Sequence, residues 1–163
     1  MSVTDQVLRN NERYAAEFDK GDLPKQPARK LAVVACMDAR LDVHKILGLD
    51  EGDAHVLRNA GGAVTDDEIR ALAISQRLLG TEEIILIRHT DCGMLSFDDE
   101  GFRLQIQEET GIDPEWPDQG FSDLDEELRA SIARIEASPF IPRTDSVRGF
   151  VYEVERGRLR EVS

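Results

Sequence analysis

The two cysteines of this 163-residue chain, Cys36 and Cys92, and a histidine three positions before the second, His89, are side chains suited to holding a metal ion. Two thiolates and an imidazole are the ligand types that zinc prefers. The spacing of His89 and Cys92 lets both side chains turn back onto one point. Asp38 and Arg40 follow Cys36 closely, which adds an acid and a base to the same loop. Taken alone, a His-x-x-Cys pair is common by chance, and the cysteines are also readable as buried apolar residues or as a labile disulfide. A purely structural zinc site is a further alternative. It needs a fourth protein ligand, and Asp38 can supply one.

These residues need elements to bring them together. Leu31 to Ala35 is a short continuous apolar run, β-branched at its centre, as a strand buried on both faces requires. Ala54 to Leu57 reads as a second strand and Glu83 to Ile87 as a third, which ends at Arg88 and His89. Between them, a short helix is expected from Leu41 to Leu47, ended by Gly48, and a longer one from Thr65 to Leu79, ended by Gly80. Thr65-Asp66-Asp67-Glu68 has capping-box spacing, and its acids suit the positive end of the helix. Strands alternating with helices in this order imply right-handed crossovers and a parallel sheet. Ligands of such sheets bind at the carboxyl ends of the strands, where Cys36 and His89 stand.

The remaining elements are peripheral. Residues 4–19 read as an amphipathic helix, stopped by Pro24 and Pro27. Phe102 to Ile106 reads as helical and Asp113 to Pro117 as a loop. Ser122 is placed to cap a helix carrying Leu124, Leu128, Ile132 and Ile135 on one stripe. Val147 to Val162 alternates around Arg156-Gly157, which suggests a terminal hairpin. The expected fold class is α/β: a three-layer sandwich with a mainly parallel central sheet and a C-terminal antiparallel strand or hairpin. It forms one domain, with residues 1–28 as an N-terminal helical arm and 29–163 as the α/β core.

Composition bounds the function. The chain is 40% hydrophobic and 33% charged, enough apolar residues for a core under a hydrated surface, and this excludes a disordered or fibrous protein. Its 33 acids against 20 bases give a net charge of −13, a surface that repels phosphate backbones and anionic lipids. Neither nucleic acid nor membrane is therefore expected as a partner. No apolar run approaches the ~20 residues of a membrane span. The first residues have no basic and apolar leader, so a cytoplasmic location is expected, where thiols stay reduced.

Cys36-Met37-Asp38-Ala39-Arg40 and His89-Thr90-Asp91-Cys92-Gly93 closely resemble the Cys-x-Asp-x-Arg and His-x-x-Cys motifs of the β-class carbonic anhydrases. Arg58-Asn59-Ala60-Gly61-Gly62, between them, is also similar to that family. The motifs run in the family's order, and with the flanking strands and hairpin the resemblance covers most of the chain. It implies a zinc enzyme, one Zn²⁺ per subunit, that interconverts carbon dioxide and bicarbonate through zinc-bound hydroxide. Cys36, His89 and Cys92 match the zinc ligands. Asp38 and Arg40 match the family's Asp–Arg pair, in which the aspartate either accepts a hydrogen bond from the zinc-bound water or ligates zinc itself.

The resemblance also implies a homodimer or homotetramer in which the N-terminal helix embraces a second subunit. Asn59, Gly61 and Gly62 are candidate pocket residues, Asn59 as a brace and the glycines as backbone that can approach a bound oxyanion. His55 reads as a structural histidine, and His44 is a candidate exit route for a proton. The chain departs from many plant-type members at Pro27, where they carry a glutamine that contacts substrate. Its short length is similar to the compact, archaeal-like branch, which includes enzymes that hydrolyse carbonyl sulfide or carbon disulfide with the same ligands. That hydrolysis is the alternative activity.

Overall fold

A computed structural model describes residues 1–163. Its elements, in chain order, are α1 (Val3–Ala16), β1 (Leu31–Cys36), α2 (Val43–Leu47), β2 (Ala54–Asn59), α3 (Asp66–Leu79), β3 (Glu83–His89), α4 (Asp99–Thr110), α5 (Leu124–Glu136), β4 (Val147–Glu153) and β5 (Arg158–Val162). The strands form one sheet in the order β2-β1-β3-β4-β5. All neighbours are parallel except β4 and β5, which pair antiparallel across the Arg156-Gly157 turn. The sheet is thus parallel with a C-terminal hairpin, as expected.

The apolar run of β1 is central because both of its faces are covered. Ala32 and Val34 pack with Ile69 and Leu72 of α3 and with Leu128 and Ile135 of α5 on one side. Val33 and Ala35 pack on the other side with Leu41, Val43 of α2 and Ile87. Burying each of these valine, leucine and isoleucine side chains contributes about 1.5–3 kcal/mol. α3 starts with the expected capping box, the Thr65 amide donating to the Glu68 carboxylate (3.1 Å). Gly48 and Gly80 end α2 and α3 in left-handed conformation, φ +63° and +76°. No helix is long and apolar enough to cross a membrane.

Several boundaries differ from the sequence reading. β1 and β3 each run on to include Cys36 and His89, so these residues end their strands rather than follow them. β2 likewise continues through Arg58 and Asn59, paired with Ala35 and Cys36. Asp123, not Ser122, caps α5, because its carboxylate accepts from both the Asp125 and Glu126 amides (2.9 Å each). α4 is longer than its apolar residues suggest, since Asp98 caps its start and Gly111 its end. Pro27 is buried beside Gln26, Lys30, Gly80 and Thr81, at the opposite end of β1 from Cys36.

Candidate metal centre

The register of the sheet places the chemistry. Cys36 pairs with Asn59, and Ala35 with Ile87, so the carboxyl ends of β1, β2 and β3 finish at one edge of the core. The chain then turns back after His89 through Thr90 and Asp91. Asp91 takes φ +52°, a left-handed conformation that aspartate tolerates better than most residues. This turn brings Cys92 back beneath His89. The sulfur atoms of Cys36 and Cys92 and a ring nitrogen of His89 all lie within 4.8 Å of one another, and all three residues are buried.

The tautomer of His89 follows from its neighbours. Nδ1 lies 2.8 Å from the carbonyl oxygen of Thr90 and is therefore its donor. Nε2 then faces the sulfurs with a lone pair, and it is buried without a hydrogen-bond partner. A buried acceptor without a partner costs about 1–3 kcal/mol, so its aim between two thiols fits a metal ligand. Thr90 is itself held by the hairpin, its amide donating to the Tyr152 carbonyl (3.0 Å) and its hydroxyl to Glu155 (3.0 Å).

Charge in the centre favours thiolate at one cysteine. Burial pushes the Cys36 thiol up, but the facing His89 and the amides of Asp38 and Gly61 outweigh it and bring the thiol down to about 7. Burial and the neighbouring Cys36 leave the Cys92 thiol raised, although the Met94 amide favours its anion. His89 is raised, because Cys36 and the Thr90 carbonyl overcome its burial. A cation held there would displace the protons of the two thiols.

Asp38 stands at the mouth of the cluster, with Oδ2 3.7 Å from His89 Nε2. Arg40 holds it through three hydrogen bonds: its amide and Nε donate to Oδ1 (2.9 and 3.0 Å) and Nη2 to Oδ2 (2.8 Å). Those bonds hold the Asp38 carboxyl well below the usual carboxylate range and raise the guanidinium. Arg40 has a second anchor in Asp91. Its Nη1 donates to the Asp91 carboxylate (2.7 Å) and Nη2 to the Asp91 carbonyl (2.9 Å).

The Arg58 to Gly62 segment frames the other side. Arg58, given no role by the sequence reading, donates from Nε and Nη2 to the Cys36 carbonyl (2.9 and 2.7 Å) and from Nη2 to the Asp38 carbonyl (2.8 Å). Asn59 spends its side-chain amide on the backbone of Ala63, accepting at 2.7 Å and donating at 2.9 Å, and so shapes the turn. Gly61 and Gly62 both have positive φ, +74° and +67°. A Cβ on Gly62 would lie 2.8 Å from the Cys36 nitrogen, so only glycine lets the turn touch β1. His55 is apart from the centre, its Nδ1 2.8 Å from the Ser75 hydroxyl. His44 is exposed on α2.

The chain is similar to known proteins along its whole length. Residues 31–116 match the carbonic anhydrase family. The chain is 58% identical to "Beta-carbonic anhydrase 1" of Mycobacterium tuberculosis, over 100% of this chain and 99% of that one. It is 38% identical to a "Carbon disulfide hydrolase" of Acidithiobacillus thiooxidans, over 98% of this chain and 90% of the other. The solved carbonic anhydrase of Streptococcus mutans superposes with a TM-score of 0.92 at 43% identity, covering 100% and 99% of the two chains. With Cys36 and His89 ending β1 and β3 and Cys92 on the turn beyond, the chain belongs to the β-carbonic anhydrase family.

Proposed function

We propose that the protein reversibly hydrates carbon dioxide to bicarbonate and a proton, with Cys36, His89 and Cys92 holding one zinc ion per subunit. The observation that carries this reading is the placement of Asp38, an ionised carboxylate beside the ligand set and clamped by Arg40. A structural site has no use for such a pair. Zinc bound there supplies Lewis acidity, which makes water a nucleophile near neutral pH. The two thiolates offset the metal's charge, so assistance from the protein matters. Asp38 accepts a hydrogen bond from the attacking water and directs its lone pair at carbon, while Arg40 keeps the carboxylate oriented. Gly61 and Gly62 let their turn approach β1 beside the ligand set, as the pocket wall on that side, and Asn59 braces the turn. Asp38 is also the side chain able to take a fourth position on the metal.

Stopped-flow hydration of carbon dioxide by zinc-loaded protein tests this reading, with carbon disulfide and carbonyl sulfide hydrolysis measured beside it. Fast hydration and slow hydrolysis are expected, in line with 58% identity to a protein named a carbonic anhydrase. Hydrolysis outpacing hydration would instead favour the activity named for the 38% identical relative. The same reading makes the molecule a homodimer or homotetramer and residues 1–28 an arm beside the 29–163 core. In support, α1 buries none of its residues and β2 ends the sheet with an unpaired edge. Two free thiols suit a cytoplasmic setting.

A further inference from the structure

The residues on either side of His89 send their side chains elsewhere. Arg88 donates to the Gly61 carbonyl, Glu127 and Ser131, and Thr90 bonds to the β4–β5 hairpin. At Thr90 the pairing of β3 with β4 changes partner. In a parallel pair, a residue's amide donates to one residue of the facing strand and its carbonyl accepts from the residue two further along. His89 stands opposite Tyr152, and the Thr90 amide donates to the Tyr152 carbonyl (3.0 Å), so the ladder runs one residue past the end of β3. The same register reserves the Thr90 carbonyl for the Val154 amide. That amide donates instead to the Thr90 hydroxyl (3.0 Å). The hydroxyl in turn donates to Glu155 (3.0 Å), which leaves its lone pairs toward Val154. The Thr90 carbonyl, released from the ladder, lies 2.8 Å from His89 Nδ1.

The exchange matters because histidine binds a metal through one ring nitrogen while the other holds the proton, and the partner of that proton sets which is which. With the hydroxyl standing in for it, the Thr90 carbonyl leaves the sheet, and Asp91 follows at φ +52°. Arg40 holds the next carbonyl along, that of Asp91 (2.9 Å). The turn is therefore gripped by the hairpin at Thr90 and by Arg40 at Asp91. Threonine suits the first place because its branched Cβ restricts the hydroxyl to few rotamers. We propose that Thr90 is a positioning residue for His89: its hydroxyl replaces its own carbonyl in the β3–β4 ladder, and the freed carbonyl keeps the proton on Nδ1 and Nε2 open to the metal. Glu155 is the outer half of this latch, holding the hydroxyl proton away from Val154. The inference rests on the reading of Cys36, His89 and Cys92 as metal ligands.

The test compares Thr90→Val, which keeps the shape and loses the hydroxyl, with Thr90→Ser, which keeps the hydroxyl. Two quantities are read: the zinc dissociation constant, by competition with a chelator, and the imidazole nitrogen and Nδ1–H resonances, by NMR. The chain has three histidines, so the His89 signals are readily assigned. In Thr90→Val the Val154 amide reclaims the carbonyl. The His89 Nδ1–H then exchanges with solvent about tenfold faster, and zinc binds about tenfold more weakly. Thr90→Ser stays within about twofold of wild type on both, and Glu155→Ala weakens zinc binding by about threefold. A purely structural role would lower thermal stability in Thr90→Val and move neither quantity. That result, or a Thr90→Ser variant as impaired as Thr90→Val, would overturn the proposal. If Thr90→Val does not fold, Glu155→Ala on an exposed side chain decides, and an unmoved Nδ1–H there overturns it. Neither readout needs turnover, so failure of the hydration reading leaves the test standing. Should the wild type bind no zinc, the ligand reading fails, while the His89 nitrogen shifts of the metal-free protein still report whether its tautomer follows the Thr90 hydroxyl.

Discussion

The carboxyl ends of β1, β2 and β3 and the two outlying helices α1 and α4 treat their side chains in opposite ways. At the strand ends, a cysteine, a histidine and an arginine are almost fully buried, and backbones touch through glycine. In α1 and α4 no residue is buried, although Val7, Leu8, Phe102 and Leu104 are apolar. One region spends polar groups inside the protein; the other leaves apolar groups outside it. Burying polar groups costs free energy unless partners are supplied, and here the partners are the Thr90 carbonyl, the Gly61 turn and α5. The lesson is that Cys36, His89 and Cys92 are gathered by the core, while α1 and α4 leave apolar side chains exposed.

Substitutions at the strand ends should therefore be severe and those in the arms mild for the centre itself. The largest effect is expected for Cys92→Ser. Its zinc content, measured by atomic emission, should collapse, and hydration should fall by more than ~100-fold, beyond what changes around a ligand usually cause. Circular dichroism should stay near wild type, because serine nearly keeps the volume of the buried Cys92 and the other face of β1 packs without it.

Gly62→Ala comes next. The added carbon meets the Cys36 nitrogen at 2.8 Å and the Ala35 carbonyl carbon at 2.9 Å, at a φ that L-residues disfavour. A loss of about 2–3 kcal/mol in urea unfolding is expected. A loss below about 0.5 kcal/mol would show that the turn can move off β1.

Asp91→Asn should act more gently. Arg40 keeps its bonds to Asp38 and to the Asp91 carbonyl but loses a charged anchor on an exposed side chain. A drop of about 3–10-fold in kcat/KM is expected with zinc content unchanged. Deleting residues 1–20 should touch the centre least. Zinc per chain should be unaltered while the sedimentation coefficient falls at micromolar concentration, and an unchanged coefficient would remove the arm from the assembly.

What sequence could tell about these two regions differs for physical reasons. β1 and β3 were readable because strands buried on both faces carry unbroken apolar runs, and the ligand cluster because His89 and Cys92 share a turn. The turn itself depends on the left-handed Asp91, which residue type alone does not announce. Residue type alone does not mark Arg88 and Arg58, since arginine at a strand end ordinarily reaches water. Their roles come from the Gly61, Cys36 and Asp38 carbonyls, distant in the chain. α4 has no buried stripe to mark its length, and its Asp98 and Gly111 caps carry the signal instead.

The most direct test of the centre is X-ray absorption at the zinc edge of the loaded protein. The account predicts two sulfur ligands near ~2.3 Å and at least one nitrogen near ~2.0 Å, with the sulfur count dropping to one in Cys92→Ser. A first shell of nitrogen and oxygen alone, or a sulfur count that Cys92→Ser leaves unchanged, would contradict it.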